Sequence, residues 1–129
     1  MSALSNTVSG PAQGRIIIIE DEPLIAENLR ADLVDAGFEI VGVASRIDEA
    51  MQLIEETECD ATILDANLAG TSSAPVAAAL TERKIPCVVL SGYARDQLAP
   101  EFSKAFYVQK PYRVHQLTAD LATLVGKRQ

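Results

Sequence analysis

The stretch from Ile16 to Pro23 constrains the fold more than any other part of the chain. Four consecutive isoleucines end in three carboxylates and a proline, in the order Ile16-Ile17-Ile18-Ile19-Glu20-Asp21-Glu22-Pro23. An apolar run without polar alternation is typical of a strand covered on both faces, as parallel strands are in α/β domains. The sequence therefore predicts a buried strand with acidic side chains at its carboxyl end, where open α/β sheets bind ligands.

From Arg15 onward, short apolar runs alternate with segments of helical periodicity, and this alternation is typical of a parallel sheet with crossover helices. The predicted strands are 16–19, 38–44, 61–64, 87–90 and 105–108. Four helices are predicted. The first begins at Pro23 and is expected to stop at Gly37, and the second follows a Ser45 cap with Asp48 three residues further on. The other two begin at Pro75 and near Val114. Between Ala94 and Lys104 the helical pattern is weak and contains Pro100.

Length and composition favour a single domain. The 129 residues, 48% of them hydrophobic, are enough for a core without disulfide or metal staples. The opening segment lacks the basic and apolar regions of a secretion signal, and no apolar run approaches the ~20 residues of a membrane span. We expect a flexible tail over 1–13, one domain over 14–126 and a short tail over 127–129. We expect no attached effector domain after Gln129, so output is expected to pass through a protein partner or onward phosphotransfer.

Charge and cysteine content limit the partners and the compartment. Eleven basic and eighteen acidic residues give a formal net charge of -7, which argues against nucleic acid as a direct partner. Cys59 and Cys87 border or lie within apolar runs and share no metal-ligand spacing, so both are interpreted as small core residues in a reducing compartment. The sequence thus predicts a cytoplasmic protein that binds neither nucleic acid nor membrane.

Polar side chains follow four of the predicted strands. Glu20 and Asp21 follow the first, Asp65 the third, Ser91 the fourth and Lys110 the fifth. Because the carboxyl ends of parallel strands share one edge, these side chains are expected to converge there. Oxygen ligands favour Mg²⁺ or Ca²⁺ over zinc, and acids beside a hydroxyl and an ammonium suit phosphoryl transfer to a carboxylate. Asp65 is the preferred nucleophile because it is central in the expected sheet order.

The ordered set Glu20-Asp21, Asp65, Ser91 and Lys110-Pro111 resembles the response-regulator receiver domains of two-component signalling, over roughly residues 14 to 126. This resemblance implies a three-layer αβα, flavodoxin-like (βα)5 receiver fold with a five-stranded parallel sheet. It also implies a phosphorylation-operated switch, in which a phosphohistidine of a sensor kinase or phosphotransfer protein donates to Asp65 with Mg²⁺. Such a domain is not an enzyme in the usual sense, because it catalyses only its own phosphoryl transfer and slow autodephosphorylation.

The same resemblance assigns roles to individual residues. The implied Mg²⁺ ligands are Asp21 and Asp65 directly, Glu20 through water, and the backbone carbonyl of Asn67. Lys110 would contact the phosphoryl group, and Ser91 would swing toward it. Tyr107 matches the aromatic switch position whose rotamer couples to that serine, although plain core packing is an alternative interpretation. The readout is expected on the surface of the fourth helix, fifth strand and fifth helix, with a monomer or a phosphorylation-dependent dimer left open.

A narrower resemblance and one departure concern the loops. Residues 86–93, Pro-Cys-Val-Val-Leu-Ser-Gly-Tyr, have the proline, hydroxyl, glycine and tyrosine spacing of stand-alone alphaproteobacterial receivers with a Phe-Ala-Thr-Gly-Tyr-like motif, but not its aromatic and alanine positions. Ala69 stands where the family usually carries proline, which puts the conformation of the acceptor loop in doubt. Tyr93 could flank the pocket, or could merely cover the sheet edge. His115 is expected to face solvent on its helix.

Three alternative functions follow from the same residues. A haloacid-dehalogenase-type phosphatase would need a second acid two residues after the nucleophile, where this chain has Asn67. A flavodoxin-like nucleotide-binding module would need a glycine-rich or hydroxyl-rich loop after the first strand, where the chain has Glu20-Asp21-Glu22. A degenerate receiver would signal by binding alone, and the intact set of acids, hydroxyl and lysine argues against it.

Overall fold

The computed structural model describes residues 13–128; the N-terminal tail predicted for 1–13 lies outside the described residues except for Gln13, and Gln129 also lies outside. One parallel sheet organises the chain, with strands in the order β2-β1-β3-β4-β5. Its strands are β1 (Arg15–Ile19), β2 (Glu39–Ala44), β3 (Ala61–Asp65), β4 (Cys87–Ser91) and β5 (Phe106–Gln109). The helices are α1 (Pro23–Asp35), α2 (Ile47–Glu56), α3 (Ala74–Glu82) and α4 (Val114–Arg128). The predicted five-stranded parallel sheet is confirmed.

The four isoleucines of β1 are fully buried and face two different layers. Ile16 and Ile18 pack in a cluster with α1 and α4, whereas Ile17 and Ile19 pack in a second cluster with α2 and α3. This is the alternation of a strand covered on both faces, and each buried isoleucine contributes about 1.5–3 kcal/mol relative to an exposed one. The three-layer arrangement is therefore confirmed, and it holds the acidic end of β1 in a fixed position.

The helix ends agree with the sequence in one case and correct it in another. Pro23 opens α1, and Gly37 follows its end with a φ of 97°, the left-handed conformation expected there. The Ser45 cap was wrong, because Arg46 occupies the N-cap of α2 without a side-chain bond. Instead, the backbone N–H and the hydroxyl of Ser45 both donate to the Glu49 carboxylate, at 3.1 Å each. Ser45 was expected to accept a hydrogen bond from a helix N–H, but it is the donor, and the carboxylate of Glu49 on the first turn of α2 is the acceptor.

The connection between β4 and β5 departs from a regular βα unit. In place of a fourth α-helix it has two short 3₁₀ turns, Arg95–Gln97 and Pro100–Phe102. Leu98 and Ala99 between them are extended, with ψ angles of 152° and 153°. A residue that precedes proline is pushed toward extended backbone, so Pro100 separates the two turns. The predicted readout surface was expected to include a helix between β4 and β5, and these two turns occupy that position instead.

Other expectations about the chain can be compared with the same structure. Cys59 and Cys87 are buried and are not joined by a disulfide, and burial raises the pKa of the Cys87 thiol to about 12, so both positions agree with the predicted core residues. His115 is exposed on α4, as predicted. Helix α4 continues through residues 127 and 128, beyond the expected domain end at 126. Within residues 13–128, no helix combines the length and apolar character that a membrane span requires.

Candidate functional site

A cavity of about 280 Å³ opens at the carboxyl ends of the central strands. Six of the residues predicted from the sequence line it: Glu20, Asp21, Asp65, Asn67, Ser91 and Lys110. They come from the ends of four strands and from the loop after β3, which are distant in the chain but adjacent along one edge of the sheet. The convergence that the sequence predicted is therefore present, except that Tyr107 does not line this cavity.

A larger hollow, of about 580 Å³, is lined by residues at the start of β1, around the end of α2 and after α3. Five of its charged groups are paired with one another: Arg15 contacts Asp60 at 3.3 Å and Glu58 at 3.5 Å, and Arg83 contacts Glu55 at 3.7 Å. Those ion pairs stabilise the surface and leave no converging reactive set. We therefore assign the chemistry to the smaller cavity, despite its size.

Three carboxylates meet in the smaller cavity. One oxygen each of Glu20, Asp21 and Asp65 lie within 4.8 Å of one another. Glu20 is only 2% exposed; its Oε2 accepts the Glu22 N–H at 3.1 Å, whereas its Oε1 is buried without a hydrogen-bond partner among the described residues. An acceptor left in this state costs about 1–3 kcal/mol, so the site has an oxygen that a ligand could satisfy.

The electrostatics of Glu20 point in the same direction. The pKa of this carboxyl is raised to about 7, mainly by burial and in part by the neighbouring Asp65 carboxylate, while the Glu22 N–H and the Lys110 ammonium oppose the shift. A divalent cation among the three carboxylates would favour the ionised form of Glu20 and would satisfy its unpartnered oxygen. Hard cations such as Mg²⁺ prefer this all-oxygen donor set, so the residues present fit that ion.

Asp65 is held by contacts on both of its carboxylate oxygens. Lys110 Nζ lies 2.7 Å from Oδ2, and the Asn67 N–H donates to Oδ1 at 3.0 Å. The backbone carbonyl of Asp65 also accepts a 2.6 Å hydrogen bond from the buried hydroxyl of Ser73. Ser73 was not among the predicted site residues, although its place just before the proline-started helix α3 is typical of a capping serine. Here the serine supports the acceptor strand instead of the helix.

Ser91, Tyr93 and Tyr107 form a second chain of contacts beside the cavity. The Ser91 hydroxyl oxygen accepts the Tyr93 N–H at 2.9 Å, and the Tyr107 hydroxyl donates to the Tyr93 carbonyl. Tyr93 itself is 63% exposed and lines the cavity. The Ser91 carbonyl accepts the Lys110 N–H at 2.8 Å, which ties the ends of β4 and β5 together. Tyr107 thus lies two contacts away from Ser91.

The loop after β3 forms a small hairpin that the sequence did not predict. Asn67–Leu68 pairs antiparallel with Thr71–Ser72, and the two residues between them, Ala69 and Gly70, have φ angles of 52° and 84°. The Asn67 Oδ1 accepts the Gly70 N–H at 2.8 Å. Proline is restricted to a φ near ~-65°, so it cannot occupy position 69 in this turn. The proline usual in the family would therefore not fit this turn, whereas alanine adopts it at some cost.

Comparisons with known proteins agree with this geometry. The family model of the response regulator receiver domain matches residues 16–122. Transcriptional regulatory protein PdtaR from Mycobacterium tuberculosis is 30% identical over 117 residues, which cover 88% of this chain and 57% of PdtaR. The chain spans about half the length of the curated relatives that it matches.

Solved structures give the same result. The response regulator PhyR from Brucella abortus superposes with a TM-score of 0.76 at 30% identity, over 88% of this chain and 48% of PhyR. The response regulator TrrA from Thermotoga maritima, in complex with Mg(2+)-BeF, superposes with a TM-score of 0.75 at 28% identity, over 85% of this chain and 97% of TrrA. With its fold, its acidic cluster and its sequence all in agreement, this chain belongs to the response regulator receiver domain family.

Proposed function

We propose that this protein is a phosphorylation-operated switch that accepts a phosphoryl group on Asp65. The observation that carries the proposal is the position of the Asp65 carboxylate, 2.7 Å from the Lys110 ammonium and within 4.8 Å of ligand oxygens from Glu20 and Asp21. An acceptor oxygen, a cation for the phosphoryl charge and a carboxylate cluster for a metal ion are the parts that phosphoryl transfer to a carboxylate requires.

In the proposed reaction, a carboxylate oxygen of Asp65 attacks the phosphorus of a phosphohistidine on a sensor kinase or phosphotransfer protein. An O–P bond forms, the N–P bond breaks, and its electron pair returns to the imidazole nitrogen of the donor. Lys110 offsets the charge on the transferred phosphoryl oxygens. The chain serves as the acceptor of its own modification, and slow attack of water on the phosphorus would release inorganic phosphate and return Asp65 to the free carboxylate.

We assign Mg²⁺ binding to Glu20, Asp21, Asp65 and the backbone carbonyl of Asn67. When bound there, Mg²⁺ would supply positive charge that offsets the charge developing on the phosphoryl oxygens. Support comes from the unsatisfied Glu20 oxygen and from the closeness of the three carboxylates. Asn67 lines the same cavity, and its N–H already holds one oxygen of Asp65, so the loop is ordered around the acceptor.

The switch step that we propose uses Ser91 and Tyr107. Phosphorylation adds a charge of about -1.5 to -2, and the Ser91 hydroxyl would turn toward a phosphoryl oxygen. That turn breaks its bond with the Tyr93 N–H, and repacking then reaches Tyr107 through the Tyr93 carbonyl. The change favours one of two pre-existing conformations of the surface formed by β5, α4 and the β4–β5 connection. A downstream protein partner would bind that surface. This protein would present it either as a monomer or as a phosphorylation-dependent dimer.

Incubation with acetyl phosphate tests the proposal. Wild type is expected to gain the mass of one phosphoryl group with Mg²⁺ and not with EDTA, and Asp65→Asn is expected to gain none. Asp35→Asn is the matched control, because Asp35 is exposed at the far end of α1. Absence of a Mg²⁺-dependent adduct on Asp65 would overturn the proposal in favour of a receiver that signals by binding alone. Multiple turnover of a phosphate ester would instead indicate a phosphatase.

Two narrower expectations stay predictions. The cytoplasmic location rests on two buried cysteines that are not joined by a disulfide, and fractionation of the source cells tests it. Membership in the alphaproteobacterial subgroup rests on the spacing in residues 86–93.

The acidic balance of the chain, with a formal net charge of -7, supports a protein partner over a nucleic acid.

A further inference from the structure

Ser73 occupies the N-cap position of α3 but does not cap the helix. Its hydroxyl makes no bond to the first helical N–H groups, although serine at this position ordinarily accepts one. The Ser72 hydroxyl oxygen accepts the Ala74 N–H instead, at 3.2 Å. The Ser73 side chain is fully buried, and its hydroxyl donates to the Asp65 carbonyl. A local preference is thus given up for a contact with the acceptor residue, and such departures are expected at functional sites.

Two bonds from Ser73 close the base of the loop that follows β3. The hydroxyl lies 2.6 Å from the Asp65 carbonyl oxygen, and the Ser73 N–H donates to the Ala66 carbonyl at 3.0 Å. The residues between these points contain the hairpin of Asn67–Leu68 and Thr71–Ser72. The loop therefore leaves β3 and returns to the same place, where one residue fixes both of its ends.

Ser73 is itself attached to a well-packed helix. Its carbonyl accepts the N–H groups of Val76 at 2.9 Å and of Ala77 at 3.1 Å, in the first turn of α3. The side chains of Val76 and Ala77 are both buried in the core cluster on that face of the sheet. The base of the loop is thus tied to an element that core packing holds in place.

The loop carries two main-chain groups that the proposed site uses. The Asn67 N–H donates to Asp65 Oδ1 at 3.0 Å, and the Asn67 carbonyl is the backbone ligand proposed for Mg²⁺. Asn67 is the second residue after Asp65, so a shift at the base of the loop would move both groups. Mg²⁺ demands near-ideal octahedral geometry with ligands at about 2.0–2.1 Å, and it tolerates little displacement.

We propose that Ser73 is a positioning residue that holds the loop after β3 in the arrangement needed to bind Mg²⁺ beside Asp65. This inference rests on the proposed function. Ser73 does not line the cavity, so it acts through the backbone of Asp65 and Ala66. Without its hydroxyl the base of the loop keeps only the N–H bond to Ala66, and Asn67 gains freedom that Mg²⁺ binding must remove.

Isothermal titration calorimetry with Mg²⁺ alone compares wild type with Ser73→Ala. We expect the dissociation constant for Mg²⁺ to rise about 10-fold in the variant, because loss of a group that orients a metal ligand typically costs 10–100-fold in affinity. Hydrogen exchange of the Asn67 amide should quicken in EDTA, before any metal binds, and exchange in β1 should stay unchanged. Saturating Mg²⁺ should restore most of the rate of phosphorylation by acetyl phosphate, since the hydroxyl acts on metal binding.

Thr62→Val is the matched control. Thr62 lies near the opposite end of β3, is fully buried and donates its hydroxyl to the Pro86 carbonyl at 3.4 Å. Removal of this hydroxyl should leave the Mg²⁺ affinity at the wild-type value. Ser73→Cys keeps nearly the same volume but supplies only a weak donor, so its affinity should lie between those of wild type and Ser73→Ala.

The possible results separate this inference from the proposed function. Equal Mg²⁺ affinity for wild type and Ser73→Ala would overturn the role of Ser73 and leave the proposed function intact. Equal losses in Ser73→Ala and Thr62→Val would indicate a general loosening of β3 and would also overturn it. If Ser73→Ala loses protection in β1 as well, Ser73→Cys decides the question, since wild-type affinity overturns the role and weaker affinity supports it. No Mg²⁺-dependent adduct on wild-type Asp65 would remove the proposed function, and this inference with it.

Discussion

Lys110 Nζ lies 2.7 Å from Asp65 Oδ2, although the two residues are 45 positions apart and come from strands separated by β4. With Glu20 and Asp21 ionised beside this pair, three carboxylates and one ammonium leave a formal charge of -2 in the cavity. A divalent cation would cancel that charge. The pairing of the lysine with only one acid thus explains why the site fits both a metal ion and an incoming phosphoryl group.

Replacement of Lys110 tests its role toward the transferred group. Lys110→Gln should slow phosphorylation of Asp65 by acetyl phosphate by about 10²-fold, because loss of one preorganised cation or donor typically costs that much. Phosphate-affinity gel mobility over time measures the rate. Lys127→Gln, at an exposed position near the end of α4, is the charge-matched control and should keep the wild-type rate. An unchanged rate in Lys110→Gln would contradict the assignment.

The raised pKa of Glu20 predicts a pH-dependent stability. Its folded pKa of about 7 exceeds the ordinary value of 4.5, so the folded state holds the proton more tightly than the unfolded state. This contribution is fully present below about pH 4.5 and is lost as the pH rises through about 7. Over that interval the metal-free protein should lose roughly 1–3 kcal/mol of unfolding free energy, measured by urea denaturation in EDTA.

Two comparisons check that assignment. Glu20→Gln cannot titrate, so its unfolding free energy should vary less with pH than that of wild type in EDTA. Saturating Mg²⁺ should flatten the wild-type profile because the cation favours the ionised carboxylate, and it should do less for Glu20→Gln. Parallel pH profiles for wild type and Glu20→Gln would show that another group controls the dependence.

Ala69 predicts opposite effects for two substitutions. Its φ of 52° is left-handed, which costs a residue with a side chain about 1–2 kcal/mol. Ala69→Gly should therefore raise the unfolding free energy by up to about 1 kcal/mol, whereas Ala69→Pro, the residue usual in the family, should lower it. Ala94→Gly is the control, since Ala94 has a φ of -68° and glycine gains nothing there. Stabilisation by Ala69→Pro would contradict the hairpin.

The Tyr107 hydroxyl provides a smaller test. Tyr107→Phe keeps the ring near Arg95 but removes the bond to the Tyr93 carbonyl, so the unfolding free energy should fall by about 0.5–1.5 kcal/mol. Hydrogen exchange should quicken for the amides of residues 92–94. Tyr93→Phe removes a hydroxyl from a side chain that is 63% exposed and leaves the carbonyl in place, so it should stay within about 0.5 kcal/mol of wild type. Identical behaviour of both variants would exclude a stabilising bond.

The cavity shows which features of a site a sequence can reveal. Glu20, Asp21, Asp65, Ser91 and Lys110 were found because each lies within two residues of the end of an apolar run, and the topology of parallel strands brings such positions together. Ser73 and Arg95 escaped detection. Their partners are backbone carbonyls, and those acceptors are identical at every residue, so no residue pattern marks them.

Local periodicity and strand ends determined the parallel sheet, the buried β1 and the set of polar residues at one edge, because these depend on neighbours in the chain. Tertiary structure alone decided which oxygen of Asp65 faces Lys110, that Glu20 keeps an unsatisfied oxygen, and that Ala69 adopts a left-handed turn. It also replaced a fourth helix by two 3₁₀ turns bridged by Arg95. These features depend on burial and on distances between atoms remote in sequence, and such quantities exist only once the layers have packed.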